Sequence, residues 1–367
     1  MTPKKVLCII NSISAGGAEQ VLQNILRYYN RDCLSLEICV LHKTGKERFL
    51  IVADVPIHYL YAESWGWYAG ALIRFIVLTV RIKPSLLFSS LVKSNIIAAI
   101  AGWLTGIPVV MSEHGPTHLY INDYAYPCIA RAIMKMAYTS ARNIIAVSQA
   151  GKESILSVFP KCRERIMVIH NGIDIDEIQK KAAFAQFIIR TPYVVACGRL
   201  SPEKNFSLLI ESVAALNTTY SLDYPLCIIG EGSQREELTH LARQRGVRLT
   251  LPGFIDNPYP IIAGGKAFVM TSFYESFPLV ALEAMACRTT VVAINSPGGI
   301  REVLRDGENC LIPAGVHPQE IAESLNRILT DTLLDQCLTQ TAANDVKKHF
   351  SVQLMIHQYD DILSRKS

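Results

Sequence analysis

Residues 272–286 read Ser-Phe-Tyr-Glu-Ser-Phe-Pro-Leu-Val-Ala-Leu-Glu-Ala-Met-Ala. Proline suits the first turn of a helix, so a helix is predicted to begin at Pro278. Glu275 then lies on the loop before the helix, and Glu283 lies roughly one and a half turns inside an apolar segment. A buried carboxylate needs a partner. Two acceptors beside a helix start, whose N–H groups attract anions, suit a ligand with hydroxyls and phosphates, such as a sugar nucleotide.

Strand-like apolar runs alternate with helical patterns along the chain, and the alternation restarts after residue 185. Alternation of this kind is typical of parallel sheets covered by helices. Two successive sets therefore predict two doubly wound α/β domains, whose ligands lie at the carboxyl ends of the strands. The predicted strands are 6–10, 36–41, 86–88, 107–111 and 143–147 in the first set, and 193–197, 226–229, 247–251, 267–270 and 290–293 in the second.

Six further motifs follow predicted strands or stand between the two sets. They are Gly16-Gly17-Ala18-Glu19, Ser112-Glu113-His114-Gly115, His170-Asn171-Gly172-Ile173-Asp174, Gly198-Arg199-Leu200-Ser201-Pro202-Glu203-Lys204-Asn205, Gly230-Glu231-Gly232 and Pro252-Gly253-Phe254. Each motif alone is weak. Together with the two glutamates, and in this order across nearly the whole chain, they resemble the retaining glycosyltransferases of family 4, which have the two-domain GT-B fold.

The resemblance implies two Rossmann-like domains with the active site in the cleft between them. We expect an acceptor-side domain at 1–185 and a nucleotide-sugar-binding domain at 186–350. Residues 351–367 are expected to form a C-terminal helix that packs back on the first domain, and the polar residues 174–190 are the predicted linker.

Four residues form the predicted catalytic set: His114, Arg199, Lys204 and Glu275. Arg199 and Lys204 follow a predicted strand, where they can hold a diphosphate and neutralise the charge that develops on it. The alternative for this pair is a solvated basic loop. By resemblance, Glu275 lies near the donor sugar and His114 contacts the transferred sugar or the leaving phosphate, although a lone histidine is more often structural.

The predicted donor-binding set is larger. By resemblance Glu283 accepts hydrogen bonds from the ribose hydroxyls. The N–H groups of Leu279 and Val280 are expected to be free for phosphate oxygens. Gly16 and Gly17 can bring backbone N–H groups close to a phosphate or sugar, or form an ordinary strand–helix turn. The full set is Gly16, Gly17, Arg199, Lys204, Gly230, Phe254, Glu275, Phe277, Leu279, Val280 and Glu283.

Asp174-Ile175-Asp176 is a D-x-D sequence, which binds a divalent metal in a different glycosyltransferase fold. Here it lies in the predicted linker, and Arg199 with Lys204 can supply the counter-charge that a metal would provide. We therefore expect no metal site and no cofactor. The nucleotide sugar is the substrate, with UDP-sugar expected rather than GDP-sugar.

The ten cysteines are scattered singly without zinc spacing, which indicates buried thiols in a reducing compartment. The apolar run after Lys5 ends in a glycine turn, so a first strand is preferred over a signal peptide. Residues 95–111 are apolar, but glycine and proline interrupt them, which predicts helix, turn and strand instead of a membrane span.

Charge is uneven: residues 1–185 carry 20 basic against 13 acidic side chains, net +7, and residues 186–367 carry 16 against 19, net −3. Within the basic half, residues 65–82 combine Trp65, Trp67, Phe75 and two arginines on an apolar helical pattern. That combination suits a membrane interface, but it also suits a core helix with snorkelling arginines.

The resemblance, together with the basic first half and residues 65–82, implies a cytoplasmic hexosyltransferase, peripheral on the inner face of the membrane, that builds a surface polysaccharide such as O-antigen or capsule. The expected acceptor is a growing glycan on a polyprenyl diphosphate, and no nucleic acid is expected as a partner. Two alternatives stay open: a nucleotide-sugar 2-epimerase or hydrolase on the same fold, and a non-catalytic binding module on the membrane surface.

Overall fold

A computed structural model describes residues 2–13, 16–42, 54–60, 65–120, 126–184 and 192–365, without the side chains of residues 65–69 and 120. Contacts divide the chain into two units. Unit 1 contains residues 1–172 and 352–367, and unit 2 contains residues 173–351.

Unit 1 alternates strands and helices from its first strand onward. Its strands are β1 (Lys4–Ile10), β2 (Leu34–Val40), β3 (Ile57–Tyr59), β4 (Leu86–Ser90), β5 (Val109–Glu113), β6 (Asn143–Ala146) and β7 (Ile166–Val168). Its helices before residue 172 are α1 (Gly17–Tyr28), α2 (Trp65–Ile82), α3 (Val92–Thr105), α4 (Thr117–Tyr120), α5 (Pro127–Ser140) and α6 (Gln149–Val158).

These strands form one parallel sheet in the order β3-β2-β1-β4-β5-β6-β7. In the centre, Val6 of β1 is in register with Leu36 of β2 and Leu86 of β4. Strands β4 and β5 are buried along their whole length, as expected for a parallel sheet covered on both faces.

Unit 2 repeats the pattern with a smaller sheet. Its strands are β8 (Val194–Cys197), β9 (Leu226–Ile229), β10 (Leu249–Thr250), β11 (Ala267–Met270) and β12 (Val291–Ala293), paired in the order β10-β9-β8-β11-β12. Its helices are α7 (Ile175–Ala182), α8 (Phe206–Tyr220), α9 (Arg235–Gln244), α10 (Tyr259–Gly264), α11 (Leu279–Ala286), α12 (Pro318–Thr330) and α13 (Thr332–His349). The two parallel α/β sheets confirm the predicted fold class.

The last helix, α14 (Val352–Ser364), belongs to unit 1. The ring of Tyr359 meets that of Phe88 edge to face, with centroids 5.8 Å apart. The backbone N–H of Asn30 donates to the Asp360 carboxylate at 3.1 Å. These contacts, with a buried tyrosine at their centre, make α14 part of the core of unit 1.

The division between the two units differs from the predicted domain boundary. The first domain ends at residue 172, not 185, because residues 175–182 form α7, which contacts α10 and α11 within unit 2. Residues 175–182 of the predicted linker are therefore helical, and its residues 185–190 lie outside the described part of the chain. The short edge strands β3 and β7 were missed because three residues carry no readable alternation.

The prediction that residues 65–82 are helical is correct, but Phe75 is fully buried in the core of unit 1. The side chains of Trp65 and Trp67 lie outside the described set. Exposed apolar side chains on this helix are instead Ile73, Val77 and Val80. In the part of the chain described here, no helix combines the length and hydropathy needed to cross a bilayer.

Close backbone contact joins the loops that follow β8 and β9. The N–H of Gly198 donates to Ile229 O and that of Leu200 to Glu231 O, both at 2.9 Å. Gly230 has φ +144°, and a Cβ there would overlap the carbonyl oxygen of Gly198. Glycine at this position therefore lets the two loops touch.

Replacing Gly230 by Ala should destabilise unit 2 by about 2–5 kcal/mol, because left-handed strain adds to steric overlap with backbone. Gly246 is the matched control, since it has φ +69° but open space around its Cβ position. Gly246→Ala should cost only the strain, about 1–2 kcal/mol. Urea unfolding of both variants measures the difference, and equal losses would contradict the close-contact explanation.

Candidate active site

The basic pair lies on the loop after β8. Arg199 is exposed, and Lys204 ends a short 3₁₀ turn, Pro202–Lys204, that leads into α8. The Lys204 Nζ atom lies 2.7 Å from Glu275 Oε1, with one quarter of the lysine side chain exposed. The structure thus brings two predicted site residues, 71 positions apart in sequence, into one ion pair.

Backbone contacts fix this loop against the one after β11. The Thr271 hydroxyl donates to Lys204 O at 3.1 Å, and the N–H of Phe273 donates to Glu203 O at 2.9 Å. These bonds hold the loop that carries Lys204 against the loop that carries Glu275. The ion pair is therefore positioned by two hydrogen-bonded loops and not by flexible side chains alone.

Glu275 is also fixed through its own main chain. Its N–H donates to Pro297 O at 3.1 Å, and its carbonyl accepts from the N–H of Gly299 at 2.8 Å. Gly298 between them has φ +109°, and a Cβ there would overlap the Glu275 carbonyl. The carboxylate, with 8% of the residue exposed, is consequently presented from a rigid backbone.

Glu283 is buried within α11 and has a different partner. The hydroxyl of Tyr259 donates to its Oε1 at 3.4 Å, and burial, with the nearby carboxylate, raises the pKa of Tyr259 so that it stays a donor. The same carboxylate contributes to the raised pKa of Cys287, about 12, although burial is the main cause. Both predicted carboxylates are thus partnered, Glu275 by a cation and Glu283 by a hydroxyl.

The start of α11 differs from the prediction. The helix begins at Leu279, and Pro278 is its N-cap residue. The N–H of Leu279 donates to Phe277 O at 3.0 Å, so it is not one of the free donors expected from the sequence. The Phe277 ring is buried edge to face on Phe350, with centroids 5.9 Å apart. Any contact of Phe277 with a donor would therefore come from its backbone.

The remaining residues that the sequence predicted for the donor site in unit 2 also follow strand ends. The N–H of Gly230, directly after β9, donates to Gly253 O at 2.9 Å. Phe254 follows Gly253 with 36% of its surface exposed. Glu231, between these loops, accepts from the Arg235 guanidinium at 2.8 and 3.1 Å. The loops after β8, β9 and β11 therefore meet at one edge of the sheet.

Gly16 and Gly17 lie in unit 1 at the start of α1. A Cβ on Gly16 would overlap the Glu19 carboxylate, so that acidic side chain folds back over the helix start. A carboxylate beside these N–H groups opposes a second anion. The arrangement therefore disfavours a phosphate at this turn.

The histidine motif ends β5. Ser112 and Glu113 are strand residues, two positions beyond the predicted strand end, and His114 follows directly. The His114 Nε2 atom lies 2.9 Å from the Ser112 hydroxyl, which lies 3.3 Å from that of Tyr359. Burial lowers the pKa of His114 to about 4, so the imidazole is neutral at neutral pH.

Sequence reasoning missed the residues that surround this motif. Glu113 is buried and accepts hydrogen bonds from Tyr138 on α5 and Asn95 on α3. Neither partner stands in a recognisable motif, and no spacing links them to residue 113. Only the packing of three elements brings them together.

The D-x-D sequence has a structural explanation. Asp174 is the N-cap of α7, where its Oδ1 accepts from the N–H of Glu177 at 2.9 Å. Asp176 lies in the first turn of that helix, where acidic side chains are favoured. The two aspartates therefore stabilise a helix start.

Comparisons with known proteins agree with this arrangement. The Glycosyltransferase Family 4 model matches residues 15–177, and the Glycosyl transferases group 1 model matches residues 178–345. HepE from Anabaena, solved in complex with UDP-glucose, superposes with a TM-score of 0.84 at 24% identity, covering 98% of this chain and 99% of HepE.

Two relatives from Campylobacter jejuni extend over most of the chain. The N-acetylgalactosamine-N,N'-diacetylbacillosaminyl-diphospho-undecaprenol 4-alpha-N-acetylgalactosaminyltransferase is 25% identical over 96% of this chain and 97% of its own length. The GalNAc-alpha-(1->4)-GalNAc-alpha-(1->3)-diNAcBac-PP-undecaprenol alpha-1,4-N-acetyl-D-galactosaminyltransferase is 21% identical over 89% of each chain. With two matching family models and a shared GT-B fold, the chain belongs to the glycosyltransferases of family 4.

Proposed function

We propose that this glycosyltransferase moves a hexose or N-acetylhexosamine from a UDP-sugar to a growing glycan on a polyprenyl diphosphate, with retention of anomeric configuration. The ion pair of Lys204 with Glu275 at the strand ends of unit 2, beside exposed Arg199, carries the proposal. The pair presents a fixed positive charge for the diphosphate next to a fixed carboxylate that can accept hydrogen bonds from sugar hydroxyls.

Two cations bind the diphosphate. An ammonium group has three N–H donors, and the bond to Glu275 uses one, so the others can point at phosphate oxygens. The Arg199 guanidinium, planar and exposed, suits bidentate binding of a second phosphate. Together they stabilise the negative charge that grows on the leaving diphosphate, so the reaction needs no metal ion.

The two glutamates bind the sugars of the donor. Glu275, held by its backbone, accepts from hydroxyls of the transferred sugar, and Glu283 accepts from the ribose hydroxyls. Lys204 partly offsets the repulsion between the Glu275 carboxylate and the nearby diphosphate. His114, neutral and half-buried, can donate to the transferred sugar without adding charge. The acceptor hydroxyl attacks the anomeric carbon from the face that the diphosphate leaves, so the new bond forms as the bond to phosphate breaks and no covalent nucleophile is needed. The leaving phosphate takes the acceptor's proton.

Relatives support the choice of substrates. The C. jejuni enzymes are named for transfer to undecaprenol-diphosphate glycans, and HepE is solved with UDP-glucose. The proposed acceptor places the enzyme at the inner face of the cytoplasmic membrane. A surface that meets this membrane should be apolar and basic.

Unit 1 carries such a surface on neighbouring helices α2, α3 and α5, which we name the apolar–basic face. Its exposed apolar side chains are Ile73, Val77, Val80, Trp103, Leu104, Ile129, Ile133 and Met136. The three helices contain Arg74, Arg81, Lys93, Arg131 and Lys135 but no aspartate or glutamate. Helix α3 contacts both α2 and α5, so the three helices are neighbours, and the basic side chains that they carry complement anionic lipid.

Lys204→Ala should weaken UDP binding roughly 10- to 150-fold, the effect of losing a charge-assisted contact of about 1.5–3 kcal/mol. Titration calorimetry measures the affinity. Lys180→Ala, which removes an exposed lysine of the same unit, is the control and should leave UDP affinity unchanged. Lys204→Ala also leaves the Glu275 carboxylate without its cation, which should destabilise the fold. The double variant Lys204→Ala/Glu275→Gln removes that unpaired charge, so it should regain fold stability but not UDP affinity. Unchanged affinity in Lys204→Ala would refute the phosphate assignment.

UDP should raise the melting temperature more than GDP at equal concentration, since a ligand that binds only the folded state stabilises it by about 2.7 kcal/mol at a concentration of about 100 Kd.

Transfer from UDP-sugars to a polyprenyl-diphosphate-linked oligosaccharide, assayed with excess EDTA, should give an α-linked product from an α-linked donor. An inverted linkage would exclude retention. Free sugar or an epimerised nucleotide sugar, formed without acceptor, would instead favour the hydrolase or epimerase.

Vesicles containing phosphatidylglycerol should bind the protein more tightly than phosphatidylcholine vesicles, and about 1 M salt should release much of it because exposed charges are then screened beyond about 3 Å. The double variant Trp103→Ser/Met136→Ser should lower vesicle binding. The control Leu333→Ser, which replaces a side chain of unit 2 that is as exposed as Trp103, should not. Sedimentation with vesicles measures this. Equal binding by all three proteins would rule out the apolar–basic face.

A further inference from the structure

Glu113, the last residue of β5, has 2% of its surface exposed and accepts hydrogen bonds at both carboxylate oxygens. Its Oε1 accepts from the backbone N–H groups of His114 at 3.2 Å and Gly115 at 3.3 Å. Its Oε2 accepts from the Tyr138 hydroxyl and from Asn95 Nδ2, the latter at 3.5 Å. One oxygen therefore holds the histidine loop, and the other holds two helices.

The partners of Glu113 are themselves fixed. Asn95 Oδ1 accepts from the Ser89 hydroxyl of β4 at 2.7 Å, and its Nδ2 donates to Ser112 O at 3.3 Å. The Tyr138 ring is fully buried, with its centroid 5.2 Å from that of Phe159. Side chains from β4, α3 and α5 thus hold the carboxylate in one orientation.

A purely structural role does not explain a carboxylic acid here. Burying a charge costs free energy even when it is hydrogen-bonded, and neutral or apolar side chains commonly stabilise a core as well or better. Glutamine has the same shape and one comparable acceptor oxygen. The acid adds a negative charge directed at two backbone N–H groups, and such charge-assisted bonds are about twice as strong as neutral ones.

We propose that Glu113 is a positioning residue, whose ionised carboxylate fixes the backbone of His114 and Gly115 and thereby places the imidazole for sugar transfer. The inference rests on the proposed function, because it takes His114 as a group that meets the transferred sugar. The Ser112 hydroxyl, 2.9 Å from His114 Nε2, orients the ring, and Glu113 holds the chain that carries it.

The titration of this cluster gives the proposal a pH signature. Burial raises the pKa of Glu113 to about 7, although its hydrogen bonds from Tyr138, Gly115, His114 and Asn95 act in the opposite direction. Burial lowers the pKa of His114 to about 4 and raises the pKa of Tyr138, so neither changes charge near neutrality. The loop should be held firmly above pH 7 and more weakly below it, as Glu113 takes up a proton.

The first experiment uses Glu113→Gln in the full chain. The wild-type kcat should fall on the acid side with a midpoint near pH 7, and the variant should lack this limb and have a kcat roughly 10- to 100-fold lower at pH 8. KM for the UDP-sugar should change much less than kcat, because the residues proposed to bind the diphosphate and the ribose belong to unit 2. Thr79→Val, which removes a buried hydrogen bond of α2, is the stability control and should keep the acid limb.

A second measurement does not depend on activity. Amide hydrogen exchange at residues 114 and 115 should be about tenfold faster in Glu113→Gln than in wild type at pH 8. Tyr138→Phe covers the case in which the glutamine variant does not fold. It removes a bond that lowers the Glu113 pKa, so the acid limb should move to higher pH.

The outcomes separate cleanly. Unchanged exchange at these amides, an acid limb that survives in Glu113→Gln, or a limb that does not move in Tyr138→Phe would each overturn the proposal. If kcat falls only in proportion to stability, as in the Thr79 control, Glu113 is merely structural. Full activity in His114→Ala would instead overturn the role of His114 in the proposed function, and the exchange data would still show whether Glu113 holds the loop.

Discussion

Parallel pairing of β8, β9 and β11 is the constraint on which the donor-side loops depend. Because parallel strands end at the same edge of a sheet, loops far apart in sequence leave it side by side. Lys204 and Glu275 meet for this reason, and the loop at Gly230 contacts that at Gly198 for the same reason. The backbone therefore fixes the positions of these loops, and the side chains on them interact within that arrangement.

Each unit buries a carboxylate at or just after a strand end, and the partners decide what it can do. Glu275 has a cation beside it, which offsets its negative charge. Glu113 has only neutral donors, so burial dominates and its pKa rises to about 7. The two carboxylates therefore differ in their partners: Glu275 pairs with a cation, and Glu113 lies among neutral donors.

Much of the fold and part of the site could be predicted from the sequence. Long apolar strands identified both sheets, and the structure brings Lys204 and Glu275 of the predicted site into one ion pair. The boundary at residue 172 could not be found, because a polar amphipathic helix such as α7 reads like a linker when its packing partners are unknown. The network around Glu113 was missed because it depends on tertiary packing of residues without a shared motif.

Helix α14 has a consequence for how the protein is made. Unit 1 needs Tyr359 to fill its core beside Phe88, yet the 179 residues of unit 2 are synthesised between its two segments. At about 5–20 residues per second, that interval is roughly 10–35 s. During this time the first 172 residues must wait with an unfilled hydrophobic site, while unit 2 can fold as a continuous segment. The smaller sheet is therefore in a position to finish first, although its residues emerge later from the ribosome.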